Sequence, residues 1–105
     1  MTIIKLDATR WHSIWEFYND LLEKIGAPAW HGKNINALLD SMVYSRNVNK
    51  IKPPIAIEIM NMDGCPSEVR DEIETLINAV EECIQDELKE EPQRRAELQI
   101  RFTRI

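Results

Sequence analysis

Few side chains in this chain can do chemistry, and most of them sit near one another. His31 is followed within ten residues by Asp40 and Ser41, so a base, an acid and a hydroxyl lie close along the sequence. A general base needs its substrate group and an orienting partner within hydrogen-bond reach. One loop-and-helix stretch does not establish that geometry, so a small enzyme using His31 stands last of three functional readings. His12 precedes a helix cap and reads as a surface residue. Cys65 and Cys83 are eighteen residues apart, with no Cys-x-x-Cys or His-x-x-x-His spacing, so no metal site is expected. Cys83 falls on an apolar helical stripe and reads as a buried core thiol, whereas Cys65 reads as a loop residue. Three glycines in all, none in a phosphate-binding loop, give no sign of a nucleotide cofactor.

The remaining polar concentration is residues 30–42, Trp-His-Gly-Lys-Asn-Ile-Asn-Ala-Leu-Leu-Asp-Ser-Met. Gly32 permits a turn. Asn34 suits a helix N-cap, because its side-chain oxygen can take an orphan backbone N–H. Ile35, Leu38 and Met42 then form one apolar stripe. Asn36 and Asp40, four apart, share a different and polar face. Trp30 and His31 bring two rings to its edge. Taken on these residues alone, the favoured reading is Trp30 as a core aromatic and Asp40 as a solvated helix acid.

The elements that must hold this stretch follow from periodicity. Residues 2–6 read as a β-branched strand. Ser13 with Glu16 forms a capping-box signature, opening a helix to about residue 25 whose apolar positions are Ile14, Phe17, Tyr18, Leu21, Leu22 and Ile25. Gly26 stops it and Pro28 prevents continuation. The central helix runs to about Tyr44, and residues 45–52 read as a loop closed by Pro53 and Pro54. Residues 55–60, Ile-Ala-Ile-Glu-Ile-Met, are nearly all apolar, as expected of a strand covered on both faces; Glu58 reads as its solvent end. Asp63-Gly64 supplies turn chemistry, and Pro66 suits the first position of a long helix. That helix buries Val69, Ile73, Leu76, Ile77, Val80, Cys83, Ile84 and Leu88, and Pro92 ends it. Residues 93–96 read as a linker, and Leu98, Ile100 and Phe102 alternate along a last strand. Strand, helices, strand, helix, strand implies parallel pairing and an α/β fold: a three-stranded parallel sheet packed with about three to four helices.

The pattern Trp30, His31, Gly32, Asn34, Ile35, Ala37, Leu38, Asp40 resembles barstar-type ribonuclease inhibitors. The resemblance runs upstream without a gap to about Trp11 and takes in Ser13, Leu21 and Pro28. Downstream it needs an insertion at residues 45–52. It implies one barstar-like domain over residues 1–105 with the same strand and helix order. It also implies a binding face that plugs a ribonuclease active site, with Asp40 as the phosphate mimic and Trp30 and His31 as an aromatic rim. Asn36, Leu39 and Tyr44 belong to the expected face, and a second acid from the long helix is assigned to Glu82. The chain departs from the family at Asn36, where many members carry an acid, and at Leu39, where many carry an aromatic.

Composition bounds the partner. The 105 residues suit one domain. They are 44% hydrophobic and 30% charged, carry a net charge of −5 and have a pI near 5.0, against direct nucleic-acid binding and in favour of a basic protein partner. The long helix concentrates the charge, with ten acids against Arg70 and Lys89. The segment after it is basic, with Arg94, Arg95, Arg101 and Arg104. No signal-peptide pattern or membrane span is read, so the expectation is a cytoplasmic monomer with free thiols. It would bind a ribonuclease toxin one to one without a cofactor. The alternative reading is a protein-interaction module of the same fold whose basic partner is not a nuclease.

Overall fold

The computed structural model describes residues 1–45 and 47–105; Arg46, in the loop expected at 45–52, lies outside the described residues. Three strands, β1 (Thr2–Asp7), β2 (Ile55–Met60) and β3 (Ile100–Arg104), form one sheet in the order β1-β2-β3 with both pairings parallel. The α-helices are α1 (Ile14–Lys24), α2 (Ile35–Leu39) and α3 (Ser67–Glu90), and α2 runs directly into a π-helical turn over Asp40–Tyr44. The expected α/β fold with a three-stranded parallel sheet is therefore the observed one.

Register explains how the core is filled. Ile4 stands beside Ile57, and Ile57 beside Phe102; Leu6 pairs with Ile59, and Ile55 with Ile100. All seven side chains are buried. Successive side chains of a strand point to opposite faces, so this set is a single layer, and it packs with Phe17, Leu21, Leu38, Val69, Ile73 and Leu76 from the helices. The opposite face is open to solvent: Ile3 is 57% exposed, and Lys5, Arg101 and Thr103 are exposed. The expectation that β2 is covered on both faces is thus corrected. Glu58 is also not at the strand's end; it is mid-strand, half-buried between Lys5 and Thr103 on the open face.

Local chemistry sets the element ends. Gly26, at φ +68°, ends α1 as expected. The capping box at its start is only half made. Ser13 makes no side-chain cap bond, and the Glu16 carboxylate accepts from the His12 N–H (2.9 Å), one residue further out than expected. After β2 the left-handed residue is Asn61 (φ +61°), ahead of a 3₁₀ turn at Met62–Gly64; an Asn tolerates that conformation, and the turn does not rest on Asp63-Gly64 alone. Leu98 is buried in a 3₁₀ turn at Ala96–Leu98 and is not part of β3.

Lengths decide what the site contacts. A 24-residue helix spans about 36 Å, whereas a six-residue strand spans about 20 Å. The first half of α3 therefore covers the sheet, with Val69, Ile73, Leu76, Ile77 and Val80 buried. Its second half overhangs, and Cys83, Ile84 and Leu88 are only half-buried. The two cysteines exchange their expected roles for this reason. Cys65 is buried, its Sγ donating to the Met62 carbonyl (3.2 Å), while Cys83 lies on the overhanging flank.

Candidate protein-binding site

The loop before α2 is folded tightly onto the helix it precedes. His31 N–H donates to the Pro28 carbonyl (3.0 Å). A Cβ on Gly32 would stand 3.0 Å from the Ala37 Cβ, so the loop and helix would have to give by a few tenths of an ångström to admit a side chain there. Asn34 caps α2 as expected, its Oδ1 accepting from the Ala37 N–H at 2.8 Å. At the other end Ser45 N–H reaches back five residues to the Asp40 carbonyl (2.7 Å), the bond of a π turn. Such turns are rare and frequent at functional sites.

Facing outward, Asn36, Asp40 and Tyr44 follow one another at intervals of four, and all three are exposed. Residues four apart share a helix face, so an amide, a carboxylate and a phenol form one stripe. Trp30, at the loop's outer edge, is 77% exposed. A ring this exposed on a rigid loop is available for a partner.

Behind the stripe the polar side chains are buried and hydrogen-bonded, save Asn49 Oδ1, which has no partner among the described residues. The His31 ring, 6% exposed, lies between the Gly32 carbonyl (Nδ1, 2.7 Å) and Ser41 Oγ (Nε2, 2.7 Å). A carbonyl only accepts, so Nδ1 carries a proton; in the neutral ring Nε2 then accepts from the Ser41 hydroxyl. Ser41 Oγ in turn accepts from Asn49 Nδ2 (3.1 Å). The chain Asn49–Ser41–His31–Gly32 fastens the loop to the back of the helix. The His31 and Ser41 pair that an enzyme reading needs does form, but it is spent inside the protein.

A second fastening comes from the far end of the chain. Arg94, counted as part of a basic tail, is buried, and its Nη2 donates to the Val43 carbonyl (2.7 Å). Its other nitrogens meet Glu87 (2.6 Å) and Glu97 (3.1 Å). Next to it, the Tyr44 hydroxyl donates to Cys83 Sγ (3.4 Å). That bond, partial burial and the nearby Asp86 and Glu87 charges push the Tyr44 pKa up to about 12.

A family model described as Barstar (barnase inhibitor) matches residues 1–102. The chain belongs to the barstar family. A search of individually curated proteins returns no match. Members of the barstar family are inhibitors rather than enzymes, and among the described residues no helix is long and apolar enough to cross a membrane.

Within this barstar-family frame the expected face needs revising. Trp30, Asn36, Asp40 and Tyr44 are exposed. His31 is not on the rim, because two hydrogen bonds draw its ring inward. Leu39, expected on the face, is half-buried and packs against the core. Glu82 is exposed on α3 immediately before Cys83. The acids whose charge acts on Tyr44 are instead Asp86 and Glu87, and Glu87 is occupied by Arg94. Asp86 and Arg94 thus stand beside this stripe, where sequence reasoning did not place them. Asp86 is three residues after Cys83 on the same flank, a spacing that carries information only once the contact between Tyr44 and Cys83 is known.

Proposed function

We propose that this chain binds a basic ribonuclease one to one and covers its active site, with the Asp40 carboxylate in the place of a substrate phosphate. The observation that carries the reading is the exposed Asp40, flanked by Asn36 and Tyr44, on a helix fastened from behind, in a family of inhibitors. A ribonuclease keeps Arg and Lys side chains for the phosphates of RNA. A fixed carboxylate entering that pocket takes charge-assisted hydrogen bonds from them. Fixing it beforehand lowers the ordering cost of binding. The −5 net charge speeds encounter with a cationic target. Trp30 covers apolar surface beside the pocket, and Asp86 with Glu82 extends the negative surface along α3. Binding uses no cofactor, the chain acts as a monomer, and its setting is the cytoplasm of a cell that makes a nuclease toxin.

Two features favour a second reading, a basic partner that is not a nuclease: Asn36 carries no charge, and Leu39 turns inward. Pull-down from the native host separates the two, because the captured protein either cleaves RNA or does not. The primary test is co-expression with the nuclease encoded beside this chain. The parent is expected to restore growth and Asp40→Ala to fail. Equal rescue by both removes Asp40 from the site.

A further inference from the structure

The last carbonyls of any helix lack partners within it. For the site helix one of these is Val43, and it is served by a guanidinium 51 residues away in sequence. Arg94 reaches it from between three carboxylates: Glu87 on Nη1 (2.6 Å), Glu91 on the same nitrogen (3.6 Å) and Glu97 on Nε (3.1 Å). With only 6% of the residue exposed, these contacts fix its plane. Lysine carries its three N–H donors on one nitrogen, with no planar fork, so it cannot span partners that Arg94 meets from three separate nitrogens.

Apolar packing seats the inner side of the site helix through Leu38, Met42 and Val43, but it is incomplete beside the C-terminal end. A cavity of about 150 Å³ lies beside this end of the helix, walled by Ile25, Ser41, Met42, Asn49, Ile51 and Arg94 among others. Where side chains are missing from one side, contact energy selects an orientation less sharply, and polar fastenings add direction. Two of them join adjacent residues of the site helix to α3 one turn apart: Tyr44 to Cys83, and Val43 through Arg94 to Glu87. They set the register between the Asp40 stripe and the acids of α3.

We propose that Arg94 is the positioning residue of the binding face: by holding the Val43 carbonyl it sets the π turn, and so fixes where Asp40 and Tyr44 stand relative to Asp86. The inference rests on the reading of that face as the inhibitory surface, but half of its test does not need the partner.

Arg94→Lys keeps the charge and loses the fork. Arg104→Gln is the control. It breaks an exposed pair with Glu74, also on α3, away from the site helix. In the free protein, amide hydrogen exchange is compared at Ser45, whose N–H bonds Asp40, and at Ile57 and Ile59 in β2. Losing one charge-assisted bond predicts roughly tenfold faster exchange at residues 40–45 in Arg94→Lys, with β2 unchanged. Against the ribonuclease that the parent neutralises, dissociation should quicken by a similar factor while association stays within about twofold. Arg104→Gln should leave both readouts at parent values. Glu87→Gln, which leaves Arg94 in place but weakens its hold, gives a smaller shift of the same pattern and serves if Arg94→Lys does not fold. Unchanged exchange at residues 40–45, or a rise equal to that in β2, overturns the proposal. So does dissociation at the parent rate. A parent that binds no nuclease would refute the functional reading and leave the exchange result to judge Arg94.

Discussion

The two sides of the site helix obey opposite rules. In front, Asn36, Asp40 and Tyr44 are exposed, and of the three the Tyr44 hydroxyl is held by Cys83. Behind, His31, Ser41, Asn49 and Arg94 are buried and hydrogen-bonded to one another or to backbone. An exposed carboxylate costs little to fold and keeps its charge for a partner. A buried polar group costs about 1–3 kcal/mol if left unpaired. The back therefore tolerates few arrangements, and that intolerance is what makes the front rigid. The comparison teaches that the residues offered to solvent and the residues that hold them in place are different sets.

The largest stability effect should come from breaking the back. Ser41→Ala leaves His31 Nε2 without its donor and Asn49 Nδ2 without its acceptor. It should cost about 1–3 kcal/mol in denaturant unfolding, whereas removing Asp40 should leave the unfolding midpoint nearly unchanged. Equal losses from both changes would erase the distinction between the sides.

A smaller effect sharpens the front. Asn36→Asp puts an acid in the first turn of α2, a placement worth about 0.3–1 kcal/mol at low salt. It also supplies the charge that many family members carry there. Thermal unfolding should show a small gain, and association with a basic ribonuclease should quicken by a few-fold, less so at high ionic strength. Slower association would show that Asn36 lies off the contact.

The smallest effect is a titration across the join between front and back. The chain has two tyrosines. The hydrogen bond to Cys83, burial and neighbouring acids raise Tyr44 to about 12, and burial together with Glu72 raises Tyr18 further. Phenolate absorbance should therefore show no tyrosine titrating at its ordinary pKa of about 10 in the folded protein. The sign for stability follows. Below about pH 10 both tyrosines are neutral folded and unfolded, so they add no pH dependence. Above it the unfolded chain loses protons first, and stability falls as pH rises toward 12. A full tyrosine signal near pH 10 would mean that the contact between Tyr44 and Cys83 is not held.

Local pattern carried most of the fold. The α1 stripe, the Gly26 stop, the Asn34 cap, β2 and the parallel sheet are all written in spacings of two to four residues, and the structure has them where expected. What was not legible depends on long-range fit. Cys83 sits on an apolar stripe, yet α3 outruns the sheet, so that part of the stripe is half-covered. Arg94 looks like surface charge until the chain returns it to Val43 and Glu87. His31 reads as a rim aromatic until Ser41, one helical stretch later, takes its ring inside. At the front, Asp40 could be read because an exposed helix acid needs only local spacing. Asp86 could not, because its relevance comes through Tyr44 and Cys83, 39 residues apart.

The most direct measurement is binding kinetics of the parent and Asp40→Asn against the ribonuclease that the parent neutralises. The substitution keeps the side chain's shape and removes its charge. The account predicts an affinity loss of at least about 2 kcal/mol, roughly thirtyfold in Kd, carried mainly by faster dissociation with unchanged folding stability. An Asp40→Asn protein that binds within about twofold of the parent would contradict it.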